Sequence, residues 1–169
     1  MSRKATRKLT LAGVLVAVAV VGSLFSVPIL GAKCSPVQHM VNVVAGVLLG
    51  PGYAVGMAFA ASVLRNLLGL GSVLAFPGSM IGALLCAVAY RVCPKLPAAY
   101  AGEVFGTGVL GALASYPLAA LLMNNQTAAL FTFVPSFLVS TAVGGLVSVV
   151  VLSALKRTPS FRQLEGTLR

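Results

Sequence analysis

Apolar residues fill this chain in long blocks, and polar residues collect in the breaks between them and at a few isolated positions inside them. The first block, Leu9–Val27, has the length of a spanning helix, which needs about 20 apolar residues, and Pro28 with Gly31 ends it. A short connection, Pro28–Cys34, carries one charge, Lys33. The next start is well marked: Ser35 suits an N-cap, Pro36 the first helical position and Gln38 the capping-box position. This second helix runs only to Leu49, about 14 residues or roughly 21 Å at 1.5 Å per residue. That is short of a hydrocarbon core of about 30 Å. With its Gly50 end at one surface, Ser35 starts inside the bilayer, where irregular backbone is tolerated only against protein or a wet cavity. The Pro28–Cys34 connection therefore reads as a lid over a pocket.

Gly50-Pro51-Gly52 turns the chain into a third helix, Tyr53 to about Leu68. Gly69-Leu-Gly-Ser72 and Pro77-Gly78 punctuate a loop, and a fourth helix runs to about Val92. Arg91, Cys93-Pro94-Lys95 and Pro97 mark its exit. A fifth helix spans about Ala98 to Met123, Asn124-Asn125-Gln126-Thr127 is a polar turn, and a sixth runs from about Leu130 to Leu155. The tail from Lys156 to Arg169 reads as frayed or interfacial. No internal repeat divides the chain, so residues 1–169 form a single transmembrane domain with basic ends, 1–8 and 156–169.

Composition fixes the solvent. The 169 residues are 59% hydrophobic and 8% charged, with a mean hydropathy of +1.02, whereas soluble domains carry about 25% charged residues. The fold class is an all-α integral membrane protein of six transmembrane helices. A formal charge of +10 raises the question of nucleic acid, but the basic residues sit at the chain ends and in one loop, where topology signals belong. Six helices put both termini on one side with the Arg91/Lys95 loop, gathering the Lys and Arg at 3, 4, 7, 8, 91, 95, 156, 157, 162 and 169. Only Lys33 and Arg65 remain toward the other face. The positive-inside rule then places the termini in the cytoplasm; five helices would split the basic clusters. The run after Lys8 exceeds the roughly 7–15 residues of a cleaved signal core, so it reads as a retained first helix. Cys34, Cys86 and Cys93 show no metal-ligand spacing and read as packing residues.

Absent chemistry narrows the classes. There is no phosphate-binding G-x-x-x-x-G-K-[ST] loop, and a single histidine forms no zinc cluster. No catalytic set, metal site or cofactor is expected, and the chain does not read as an enzyme. The carboxylates are Glu103 and Glu165. Glu103 is expected in the first turn of the fifth helix near Arg91 and Lys95, complementing the helix dipole. An ion-coupled carrier, which places carboxylates near the midplane, is set aside on that ground. The polar positions that need a reason are His39, Asn42, Arg65 and Asn66. His39 and Arg65 lie roughly 16–20 Å from the Gly50 turn on antiparallel helices, and His39, Asn42 and Gly46 share a face. An ionisable group at membrane depth is a functional candidate by default, although Arg65 also has the length to snorkel to the interface. Tyr116, Phe133, Ser136, Phe137 and Ser140 fall in the outer halves of the fifth and sixth helices as candidate walls of a small-molecule site. Gly13 and Ala17 make a small-xxx-small pair on the first helix, and Gly102, Gly106, Gly108, Gly111, Gly144 and Gly145 read as packing grooves.

Four segments carry a family resemblance: Pro36-Val-Gln-His-Met-Val-Asn42, Ala45-Gly-Val-Leu-Leu-Gly-Pro51, Leu64-Arg-Asn-Leu-Leu-Gly69 and Ala75-Phe-Pro-Gly-Ser-Met80. The chain resembles the substrate-binding S components of energy-coupling factor transporters, most closely the ThiW type associated with uptake of the thiazole precursor of thiamine. The resemblance implies a six-helix S-component-like bundle with an outward pocket capped by the first connection, in a bacterial or archaeal cell membrane. It implies a transmembrane coupling protein and two ATPase subunits as partners, and 4-methyl-5-(2-hydroxyethyl)thiazole as ligand. Gln38, His39, Asn42, Arg65, Asn66 and the five wall residues would bind that ligand beneath a lid that includes Lys33. The family's A-x-x-x-A-type docking motif has its nearest match at Gly13 and Ala17, a departure at the first position. The rivals are another vitamin-like ligand, a small membrane enzyme using His39 and Arg65, or a ligand-free assembly protein.

Overall fold

Helix α1 (Arg3–Gly22) begins on Ser2, whose hydroxyl accepts from the Ala5 amide, and ends in a 3-10 turn, Ser23–Phe25. The structure is a computed structural model describing residues 2–29, 32–122 and 130–168, without the side chains of residues 28, 29, 32, 33 and 122. Two three-residue strands follow α1, β1 (Val27–Ile29) and β2 (Ala32–Cys34), paired antiparallel with Val27 opposite Cys34. The remaining elements are α2 (Pro36–Leu49), α3 (Pro51–Leu67), α4 (Ala75–Val92), α5 (Leu96–Phe105), a π-helical stretch Gly106–Gly111, α6 (Ala112–Leu122), α7 (Val134–Leu155) and α8 (Pro159–Leu168). The α5, π and α6 segments are one continuous rod. Between α2 and α3, Gly50 holds φ +84°, in the left-handed region that favours glycine, and Pro51 then starts α3.

Among the described residues, four helical stretches are long and apolar enough to cross a membrane: Arg3–Phe25, Ala75–Val92, Leu96–Leu121 and Val134–Leu155. The protein is a multi-pass membrane protein built almost entirely of helices. Helix α2 is the short one, and its place explains its sequence. It packs against α1, α3, α4, α5, α7 and α8, and ten of its 14 residues are buried. A helix covered on all sides has no use for a polar face, so the polar residues that α2 carries turn toward protein. Around it, exposed apolar residues such as Val18, Val88, Val143 and Val150 form the lipid-facing surface.

Close helix approach depends on glycine as the sequence implies. A Cβ at Gly106 would stand 2.8 Å from Gly82 Cα, and one at Gly111 2.6 Å from Gly78 Cα, so α4 meets the α5–α6 rod backbone to backbone. At one end of the bundle, Lys8 Nζ donates to the Leu49 carbonyl at 3.3 Å and Lys156 Nζ to the Tyr90 hydroxyl at 2.8 Å. The start of α1 and the ends of α2, α4 and α7 thus lie together.

Several expectations need correction. Ser35 makes no side-chain cap, and the Gln38 side chain bonds elsewhere, so no capping box forms. Pro77 and Gly78 lie in the first turn of α4 rather than in a loop, because a helix tolerates proline there. The last spanning helix starts at Val134, later than Leu130. The tail is not frayed: α8 is helical, and its Phe161 and Leu168 are buried in the main core. The inward face of α1 is Ala12, Leu15, Ala19 and Gly22, whereas Gly13 and Ala17 are exposed and a Cβ at Gly13 would meet nothing within 4 Å. The polar turn expected at Asn124–Thr127 lies outside the described residues.

Candidate functional site

The polar residues of α2 converge on a group that was expected elsewhere. Glu103 lies two turns inside α5 and is 0% exposed. His39 Nδ1 stands 3.0 Å from Glu103 Oε1, and Asn42 Nδ2 donates to the same oxygen at 3.0 Å and to the Ser79 carbonyl at 3.2 Å. Thr107 Oγ1 lies 3.0 Å from Oε1 and 3.1 Å from the Gly78 carbonyl, so its one hydrogen serves either. The expected dipole-complementing role near Arg91 and Lys95 is therefore overturned. The helix begins at Leu96, which carries Glu103 beyond the first turn, and packing against α2 and α4 buries it. The ground for setting aside an ion-coupled carrier, a carboxylate confined to a helix end, falls with it. The position of Pro97, a residue suited to the first helical turn, was the signal that placed Glu103 too deep for an end role.

Arg65 joins the same network from α3. It is 3% exposed, so it does not snorkel, and its Nη1 donates to Gln38 Oε1 at 3.0 Å. Gln38 Nε2 donates to Asn42 Oδ1 at 3.1 Å, and Asn42 passes the polarity on to Glu103. A buried cation and a buried carboxylate are thus linked through two amides whose dipoles point the same way. Such a chain stabilises both charges where an isolated one would be costly.

Beside this network is a cavity of about 40 Å³. Ser35, Gln38, His39 and Arg65 form one wall; Ser72, Ala75, Gly78 and Ser79 another; Thr107, Phe137 and Ser140 close it. Among the described residues, Ser35 Oγ, Arg65 Nε and Glu103 Oε2 are buried without a hydrogen-bond partner, and the first two belong to cavity-lining residues. The hairpin strand β2 is tied down at the same place: Cys34 Sγ donates to the Ser136 carbonyl at 3.3 Å and the Ser35 amide to Ser140 Oγ at 3.0 Å.

Of the expected site residues, Gln38, His39, Arg65, Phe137 and Ser140 line this cavity. Asn42 stands behind it in the network. Asn66 Nδ2 donates to the carbonyls of Ser62 at 2.8 Å and Ser72 at 3.1 Å, fastening the end of α3 to the following loop. Phe133 packs on Phe137, ring centroids 6.4 Å apart, and on Leu74, Ala112 and Ala119. Ser136 is buried on α7, and Tyr116 is half-buried on α6, outside the lining. Lys33 pairs with Pro28 in the hairpin, and its side chain lies outside the described atoms. Glu103, Thr107, Ser35, Ser72 and Ser79 are the polar residues of the site that sequence reasoning missed.

A family model described as thiamine-precursor transporter protein (ThiW) matches residues 9–158 of this chain. No curated protein matches it.

Proposed function

The chain belongs to the ThiW family of thiamine-precursor transporter proteins, and from that premise we propose that it is the substrate-binding membrane subunit of an energy-coupling-factor-type transporter, taking hydroxyethylthiazole from outside the cell. The observation that carries the ligand site is the polar cavity against Arg65, Gln38 and His39, with unpartnered Ser35 Oγ and Arg65 Nε beside it, inside an otherwise apolar bundle. A small neutral heterocycle suits these walls: Phe137 offers a ring face, and the polar wall offers a few directed hydrogen bonds. Asn42, Asn66, Tyr116, Phe133 and Ser136 complete the proposed site from behind or beside the lining. A phosphorylated ligand fits less well, since Arg65 is already linked to Glu103.

The cavity has room for about three waters, so a substituted five-membered ring enters only if a wall moves. In this reading what moves is the pair of strands β1 and β2, Lys33 included, fastened to α7 through Cys34 and Ser35. On the same reading the four long rods, together with the shorter α2 and α3, make six crossings and put both basic termini in the cytoplasm. Energy comes from two partner ATPases through a transmembrane coupling protein, as the resemblance implies. The exposed Gly13 and Ala17 face of α1 is the proposed docking side. A membrane enzyme gains the His39–Glu103 pair, but Ser35 Oγ makes no hydrogen bond to His39, so these two do not form a nucleophile–base pair.

Thermal unfolding of the purified protein with hydroxyethylthiazole, thiamine and riboflavin tests the reading. Stabilisation by the thiazole alone is expected, at about 2.7 kcal/mol when the ligand is at 100 times its Kd. Loss of that shift in His39→Ala is expected too. Equal shifts with all three compounds, or none, would sink the proposal.

A further inference from the structure

We propose that Glu103 is the residue that determines which functional group the site selects: by accepting the Nδ1 proton of His39, it makes the imidazole Nε2 a hydrogen-bond acceptor for a ligand hydroxyl. This rests on the ligand-site reading above and names the chemistry that site recognises.

The hydrogen-bond direction follows from counting protons. Asn42 Nδ2 is only a donor, so Glu103 Oε1 is already an acceptor in that bond. The other carboxylate oxygen, Oε2, is buried without a partner. It faces Gly82, where a Cβ would come within 2.8 Å of it, and a proton on Oε2 would have no acceptor. With Glu103 ionised as the counter-charge to Arg65 at the far end of the Gln38–Asn42 relay, Oε1 carries only lone pairs, and Nδ1 of His39, 3.0 Å away, is the donor in their contact. A neutral imidazole has a single N–H, so fixing it at Nδ1 leaves a lone pair at Nε2. A doubly protonated ring would add a second cation to a buried site in which Arg65 and Glu103 already balance, which is costly in a low-dielectric interior.

The cavity then presents complementary groups. His39 and Arg65 both line it: Nε2 of His39 accepts, and the Arg65 guanidinium, which commits Nη1 to Gln38, donates. A ligand that satisfies both carries one hydroxyl and one acceptor atom, such as a ring nitrogen, and no net charge. The chemical class is a small neutral heterocyclic alcohol. An ether of the same ring leaves Nε2 without a donor, and a phosphate ester sets its anion against the Nε2 lone pair with Glu103 behind it. Sites built to bond a hydroxyl discriminate strongly against analogues that lack it, because their polar groups are then left unpaired.

His39 is the chain's one histidine, so ¹⁵N-histidine labelling reads this ring alone. The native protein is expected to show a protonated Nδ1 and a bare Nε2, and Glu103→Ala a mixture of tautomers. Glu103→Gln, of the same shape, stands in if the alanine variant does not fold; its amide presents either oxygen or NH₂ to Nδ1 and no longer fixes one tautomer. In calorimetric titration, hydroxyethylthiazole should bind the native protein at least tenfold more tightly than its O-methyl ether or its phosphate. That ratio should shrink in either Glu103 variant. A bare Nδ1 or an imidazolium in the native protein would overturn the proposal. So would equal binding of alcohol and ether, which leaves the thiazole site itself standing. Binding of none of the three compounds removes the ligand reading and with it the selectivity claimed here, whatever tautomer the spectrum shows.

Discussion

Glu103 gathers His39, Asn42 and Thr107 at one oxygen, and this is where a single substitution reaches furthest. Glu103→Ala leaves two buried donors, His39 Nδ1 and Asn42 Nδ2, short of their acceptor, and an unsatisfied buried group costs about 1–3 kcal/mol. A loss of about 2–4 kcal/mol, measured by denaturant unfolding in detergent, is expected. Asn66→Ala is milder, about 1–2 kcal/mol, because Asn66 and Ser72 are half-buried and only the Ser62 carbonyl it releases belongs to a buried residue. His39, Asn42 and Arg65 are legible as site residues because polar side chains in apolar runs stand out one position at a time. Glu103 is equally conspicuous as a residue. What stays hidden is its depth, which depends on where α5 begins and which helices cover it. Ser79 and Thr107 are hidden for another reason: hydroxyl residues are common in membrane helices, and only packing selects those that face a cavity.

The glycines divide by what a methyl group would strike. Gly111→Ala drives a Cβ into the α4 backbone at Gly78, which cannot swing away as a side chain would, and a loss of about 1–3 kcal/mol is expected. Gly13→Ala meets open space and sits in a helix interior. Its stability should be unchanged or up to about 1 kcal/mol higher, measured in the same assay. In the proposed docking role, the Gly13 variant weakens capture by a coupling protein while thiazole binding persists. Element boundaries such as Pro36–Leu49 can be read locally, since proline and glycine act on their own turn. The tail helix α8 could not be, because its few apolar residues gain from helix formation only once α1 and α2 supply a surface for Phe161 and Leu168.

Across the whole molecule, Lys8 meets the end of α2 and Lys156 the end of α4. With the native cysteines replaced, single cysteines at Lys95 and at Ser72 should label from opposite sides of the membrane in oriented vesicles. Labelling from the same side would remove the six-crossing topology. Sequence alone determined that this chain lives in lipid, where its long helices lie, and which polar residues lack a local excuse. These follow from composition, run length and the backbone limits of proline and glycine, all of which act within a few residues. Tertiary structure decided that α2 is the buried axis, that Arg65 and Glu103 are joined through Gln38 and Asn42, and that His39 is aimed by a carboxylate 64 positions away. Contacts between distant helices depend on rotation about each helix axis and on depth of packing, and a run of apolar residues that is greasy on every face specifies neither.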